Sequence, residues 1–334
     1  MLAILLAHTG PAAAQDSQAG VAELHIGYIT ELIKPRPPLS LVDKVVTDDG
    51  VQGARLGIQD SNTTGAFMKQ HFVLDEIMVP EGGDVSAAFK QAVAKGLKFF
   101  VADLPAARLV AIADLPEGHD TLIFNAQAKD DALRGEQCRA NVLHTMPNRT
   151  MRTDALAQYL MWKQWREWFL LAGTGEGDKL FADAVRRSAK KFGAKIVEDQ
   201  SYNAGSTSRR TDTGATQIQK QLPVLTQASD YDVVIVADES DLFGEYLPYR
   251  TWLPRPVAGT QGLVPTAWSR THEQWGATQF QNRFERFANR WMTERDYAAW
   301  LAVRSVTEAA TRTKSIDYAT LNGFIRGADF SVAG

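Results

Sequence analysis

One cysteine, Cys138, occurs in 334 residues. It can form no internal disulfide, so packing alone must hold the fold, and the lone thiol is expected to be buried and structural. Charge of neither sign dominates, with 36 Lys plus Arg against 39 Asp plus Glu. Without a surplus there is no global field to steer the chain to nucleic acid or to an anionic membrane, and a charged partner must be met locally. No apolar run reaches the roughly 20 residues that a membrane-spanning helix needs. His8, His25, His71, His119, His144 and His272 never fall in His-x-His or His-Glu-x-x-His spacing, which leaves a zinc or di-metal site without local support. No Gly-x-Ser-x-Gly elbow is present to raise a serine nucleophile. The loop Gly173-Thr-Gly-Glu-Gly177 lacks both a Gly-Lys-Ser/Thr ending and Gly-x-Gly-x-x-Gly spacing, and Glu176 and Asp178 would repel phosphate. The adjacent acids Asp48-Asp49, Asp130-Asp131 and Asp238-Glu239 point in different directions on any regular element and so build no acid/base pair by themselves.

What the chain has is apolar material, 45% of its residues. That suits two packed lobes, since single cores stop growing near ~250 to 300 residues. The N-terminus runs from Met1-Leu-Ala-Ile-Leu-Leu-Ala7 through Pro11-Ala-Ala-Ala14 into polar Gln15. It reads as a short export leader over residues 1–14, cleaved after Ala14. The usual positive n-region is missing, so the true start is expected upstream of Met1.

Strand-like and helix-like segments then alternate. Glu23 to Thr30, His71 to Leu74, Leu97 to Ala102 and Thr121 to Phe124 read as strands, with helices from Gly53 to Gln59 and Val85 to Lys95. A second series opens at Val142-Leu-His144. It continues with a helix from Thr153 to Trp165, strands at Trp168 to Ala172 and Ala194 to Val197, helices from Lys179 to Lys191 and Thr216 to Leu222, and the β-branched strand Tyr231 to Ala237. After Val257 to Gly262 the pattern turns helical, and Phe280, Phe284, Phe287 and Trp291 form one stripe expected to fill core. Pro35-Arg-Pro-Pro38 and Gly205 to Gly214 read as flexible insertions. The fold class is therefore α/β with two doubly wound, Rossmann-like lobes. Residues 23–142 plus 262–330 form lobe one and 143–261 lobe two.

In doubly wound sheets ligands sit beyond the carboxyl ends of strands, and two facing lobes enclose a cleft. The residues just past those ends are the candidates whatever the ligand is: Thr30 and Glu31; Asp103, Leu104 and Pro105; Asn125, Ala126, Gln127 and Lys129; Thr174 and Gly175; Asp238 and Glu239; Thr260 and Gln261.

The closing segments Trp275 to Phe287 and Asp296 to Thr313 resemble, in order and content, the last helices of type I periplasmic solute-binding proteins, the branched-chain-amino-acid-receptor class. Gly53 to Gly65, Phe124 to Gly135, His272 to Gln279 and Met292 to Trp300 are similar to the subgroup associated with quinoprotein alcohol-dehydrogenase systems. The resemblance implies an exported, monomeric protein of a Gram-negative periplasm. It would bind pyrroloquinoline quinone (PQQ) as ligand, perform no chemistry, and hand its cargo to an ABC permease or a quinoprotein dehydrogenase. Amino-acid receptors of this class hold the substrate carboxylate with a hydroxyl just past the strand ending near Ala102, where this chain reads Asp103-Leu-Pro105. A flat tricarboxylate asks for cations, amide donors and aromatic faces. Lys129, Arg134, Asn125, Gln127, Gln261 and Trp268 offer them, with Asp103, Thr174, Asp238 and Glu239 completing the implied site. Arg134 has the alternative of pairing with Asp130 or Asp131. An amino-acid or small aromatic acid receptor is the alternative among binding proteins, and a two-lobed α/β enzyme the alternative outside them. Family members continue past Phe330 with strands that complete lobe two, so that part is expected to be missing here.

Overall fold

The computed structural model describes residues 20–34, 45–205 and 212–332. The leader and the Pro35 to Pro38 run lie outside the described residues, as does the Gly205 to Gly214 run from 206 to 211. From Asp212 that second run is already helix.

The first sheet contains β1 (Ala22–Glu31), β2 (Gln70–Val79), β3 (Phe99–Asp103), β4 (Leu122–Asn125) and β5 (Val142–His144), all parallel, in the order β2-β1-β3-β4-β5. Between them run α1 (Val51–Met68), α2 (Val85–Ala94) and α3 (Ala106–Ala113). The second sheet contains β6 (Glu167–Ala172), β7 (Lys195–Ser201), β8 (Val233–Ala237) and β9 (Val257–Gly259), again parallel, in the order β7-β6-β8-β9. It carries α4 (Arg149–Trp162), α5 (Glu176–Phe192), α6 (Asp212–Leu225) and the short α7 (Leu247–Arg250). The chain then returns to the first lobe with α8 (Ala277–Ala288), α9 (Glu294–Thr313) and α10 (Tyr318–Ile325).

Parallel strands need crossover helices, and helices on both faces bury both sides of each strand. That explains why Phe99-Phe-Val-Ala-Asp103 and Val233-Val-Ile-Val-Ala237 are buried at every position. One core joins the first sheet to α1, α9 and α10, and another joins it to α2 and α3. In the second lobe, α4 and α5 cover one face of the sheet and α6 the other.

Several expectations need correction. Val142–His144 closes the first sheet rather than opening the second, because it pairs in parallel with β4. α1 extends far beyond Gln59, to Met68, although Ser61-Asn-Thr-Thr-Gly65 is poor helix material. Tertiary contact with α9 holds it there. A Cβ on Gly53 would sit 1.9 Å from the Asp296 carbonyl oxygen, and Ser61 bonds Thr307 at 2.8 Å. In the aromatic stripe Phe280 and Phe284 are buried, whereas Phe287 and Trp291 are exposed and Trp291 lies under the Arg270 guanidinium. Cys138 is exposed, because it follows the short Asp131–Arg134 turn on a polar loop.

Two of the six histidines, isolated in sequence, share Glu23 near the amino ends of β1 and β2. His25 reaches Asp75 at 2.7 Å and Glu23 at 2.8 Å, and His71 lies 3.3 Å from Glu23. The Asp75 hydrogen bond raises His25 above its ordinary 6.5 against the opposing effect of burial, with Glu23 adding to the rise. A raised folded-state value stabilises fully below pH 6.5, and that contribution is lost as pH climbs through the folded value. Thermal melts should therefore show wild type losing more melting temperature between pH 6 and pH 8 than His25→Gln does. Equal losses would mean the His25 cluster contributes nothing.

Candidate functional site

Strand order reverses direction around β1 in the first sheet and around β6 in the second, and each reversal opens a crevice at the carboxyl ends of the strands. A cavity of about 710 Å³ lies where those ends face each other. The loops after β3 and β4 supply Pro105, Ala106, Gln127, Lys129 and Asp130. Arg149 and Arg152 come from the first turn of α4, and Glu176 and Gly177 from that of α5. Asp238, Glu239 and Asp241 follow β8, Thr260 and Gln261 follow β9, and Glu294 and Arg295 open α9.

Local chemistry positions these groups. After β9, Gly259 adopts φ +114°, a turn that a side chain could not share because its Cβ would lie 2.2 Å from the Val236 carbonyl oxygen. Thr260 then accepts from the Asp238 amide at 2.9 Å, and the Gln261 side chain donates to the Asp238 carbonyl at 3.1 Å. Asp238 itself points inward, its carboxylate capping the amides of Leu242, Phe243 and Gly244 at 2.7 to 3.0 Å. Glu239 points the other way and takes Arg149 at 2.7 Å, as expected of adjacent acids. Asp178, fully buried, bonds Ser240 and the Gly175 amide, tying the loop before α5 to the loop after β8.

The sequence pattern of the family described as "Periplasmic binding protein" matches residues 46–237, more than half of the chain. The chain belongs to the periplasmic binding proteins. Among curated protein sequences none matches it, but solved structures share its fold. A branched chain amino acid ABC transporter periplasmic ligand-binding protein from Burkholderia xenovorans is 16% identical with a TM-score of 0.69, covering 93% of this chain and 84% of its own. An ABC transporter substrate-binding protein from Desulfitobacterium hafniense, in complex with Leu, is 16% identical with a TM-score of 0.64, over 91% and 88%. A leucine-, isoleucine-, valine-, threonine- and alanine-binding protein from Brucella ovis, in its closed conformation, is 15% identical with a TM-score of 0.63, over 92% and 80%.

In this periplasmic binding protein Gln127, Lys129, Asp238, Glu239 and Gln261 line the cavity, and the other five site residues inferred from sequence do not. Asp103 is buried beneath Arg295, which grips it at 2.6 and 2.7 Å, with the Tyr28 hydroxyl donating at 2.5 Å. Asn125 is also buried. Its carbonyl oxygen accepts from the Ala128 amide at 2.8 Å, and its NH2 donates to the Ala128 carbonyl and to His144 Nδ1, so it shapes the loop that presents Lys129. Arg134 is exposed on the loop after β4 and donates to the Met146 carbonyl at 3.0 Å. It pairs with neither acid beside it: Asp130 is taken by Arg149 and Asp131 by Arg187. Thr174 is exposed outside the cavity. Trp268 stacks on Tyr297 with ring centroids 5.2 Å apart and edges onto Phe280, which places it in the core of the first lobe.

Lys129 stands apart from the other cations. Arg149 is bound to Glu239 and Asp130, Arg152 to Glu294, and Arg295 to Asp103 and Asp49. Among the described residues the Lys129 ammonium has no hydrogen bond and no ion pair within 4 Å. Burial, and next the charge of Arg152, lowers its pKa, so a carboxylate placed beside the ammonium would offset that cost. Reading strand ends missed Arg149, Arg152, Glu294 and Arg295, which come from helix N-termini. For the three arginines the signal is a basic residue in the first turn, where the helix dipole disfavours positive charge unless something local demands it. Among the described residues no group of His, Cys, Asp and Glu could hold a metal ion, and no helix is long and apolar enough to cross a membrane.

Proposed function

We propose that this chain is the solute-binding component of a bacterial ABC transporter, working in the periplasm, and that its cleft receives an amino acid or small aromatic acid. The observation that carries the reading is the charge pattern. One unpaired ammonium, Lys129, reaches in from the first lobe to meet a carboxylate. Glu176 of the second lobe lines the same cavity and offers a carboxylate to an ammonium group, whereas Glu239 is held by Arg149. Neighbours of the same fold are named for branched-chain amino acids and for a complex with Leu.

Pyrroloquinoline quinone, the ligand implied by the subgroup resemblance, is served less well. Three carboxylates would face six lining acids and four lining cations, three of which already have carboxylate partners. No Trp or Tyr lines the cavity, and its one ring, Phe181, is buried.

Calorimetric titration with leucine, phenylalanine, benzoate and the quinone separates these ligands. Lys129→Ala should cost about 1.5 to 3 kcal/mol, the range for a hydrogen bond to a charged group, or more than tenfold in affinity. Lys129→Arg keeps the charge and should restore most of the loss. Tighter binding of the quinone than of any amino acid or aromatic acid would overturn the reading.

A further inference from the structure

Every cation lining the cleft but one is matched to an acid: Arg149, Arg152 and Arg295 have carboxylate partners, and Lys129 has none among the described residues. A position built only to grip a carboxylate would be served better by the bidentate fork of arginine. What lysine adds is a primary amine, which becomes a nucleophile once its proton is gone. The surroundings of Lys129 favour that loss. Burial first, then the charge of Arg152 and to a lesser extent that of Arg149, lowers its pKa from the ordinary 10.5, with Glu239 and Glu294 opposing. Its backbone is pinned as well. Asn125 holds Ala128 through two bonds of 2.8 Å, and the Arg149 amide donates to the Lys129 carbonyl at 2.9 Å, so the amine enters the cavity from a fixed base.

We infer that the cleft holds 2-oxo acids, or acids with an aldehyde carbon in the same place, as a reversible imine on Lys129 Nζ. The inference rests on the small-acid reading and deepens it, since a carboxylate paired with Lys129 brings the carbonyl carbon, one bond away, to the same nitrogen. Lys129 gives its proton, directly or through water, to Glu176, which lines the cavity and has no ammonium to meet when an oxo acid is bound. The nitrogen lone pair then forms the C–N bond while the carbonyl π electrons move to oxygen. With that oxygen protonated, the C–O bond breaks, water leaves and the C=N bond forms. No electrons are gained or lost overall, and hydrolysis releases the acid unchanged. Arg149 Nη1 is buried and makes an ion pair with Asp130 at 3.3 Å but no hydrogen bond. It is the donor left to hold the carboxylate once Lys129 turns to the carbonyl.

Cyanoborohydride trapping followed by mass spectrometry and peptide mapping tests this on wild type and Lys129→Arg, with 4-methyl-2-oxopentanoate, the oxo counterpart of leucine, as probe. Its 2-hydroxy analogue, which has no carbonyl, is the control. Wild type should gain the mass of the acid less one oxygen atom at Lys129, about tenfold or more faster than at exposed lysines at pH 7. That labelling should saturate with concentration and be competed by the hydroxy acid, and its lead over exposed lysines should shrink as pH rises toward 10.5. In calorimetry wild type should bind the oxo acid about tenfold or more tighter than the hydroxy acid. Lys129→Arg, which keeps the charge but forms no imine, should bind the two within about twofold of each other. If wild type binds both equally and Lys129 is labelled no faster than exposed lysines, the imine is overturned and the cleft reading stands. If neither acid nor leucine binds and labelling of Lys129 rises without saturation, the cleft reading itself fails and the imine falls with it.

Discussion

Arg295→Met should lower the free energy of unfolding by about 3 kcal/mol or more, the effect of leaving a buried charge without its partner. Asp103 is 2% exposed and depends on Arg295 for three contacts between 2.6 and 3.0 Å. Asp49 lies within 3.4 Å of the same guanidinium, and Asp296 neighbours both through Arg290 and the Gly50 amide. Burial works against the charge on Arg295, and Asp103 and Asp49 outweigh it, so its pKa is raised. Removing the arginine leaves two acids confined together at the carboxyl end of β3. Urea denaturation followed by tryptophan fluorescence measures the loss. Asp103→Asn added to Arg295→Met removes the stranded charge and should recover more than half of it. A single variant within 1 kcal/mol of wild type would show that the pair contributes nothing to stability.

Arg152→Ala should have an effect of similar size and, in addition, reach the ligand. One guanidinium donates to Pro147 O at 3.4 Å, to Pro265 O at 3.3 Å and to Glu294, whose second oxygen accepts from the Ala267 amide at 2.7 Å. Residues 144–149 and 259–277 carry the chain between the two sheets, so this side chain pins both passages and the start of α9 at once. Its removal leaves Glu294 uncompensated, at about 3 kcal/mol of stability, and frees both crossings to flex. Ligand affinity should fall more than tenfold, because lobe closure would no longer be aligned, and small-angle scattering of the unliganded variant should show a larger radius of gyration. Arg152→Lys should not rescue either effect, since a point charge cannot serve three directions as the planar fork does. Wild-type affinity and radius in Arg152→Ala would remove the hinge role and leave only a local ion pair.

The parts of the fold legible in the sequence are those where a local pattern and burial coincide. Val233 to Ala237 reads as a strand because a parallel strand covered on both faces is apolar at every position. α5 reads as a helix because acids begin it, lysines end it and its apolar residues keep to one stripe. The strand-end rule found Gln127, Lys129, Asp238, Glu239 and Gln261, since topology alone puts such residues at the mouth of the crevice. Asp238, like Asp103 and Asn125 which the rule also selected, turns its side chain inward to partners that no spacing reveals.

The composition, the alternation of strands and helices and the strand ends thus determined an α/β chain of two doubly wound lobes, with a cleft between them and Lys129 within reach of it. Only the tertiary structure decided which charges in that cleft are spent and which are free. Arg295 lies 192 residues from Asp103 and Glu294 lies 142 from Arg152. Ion pairing depends on distance in space, and across separations of that length the sequence holds no record of it.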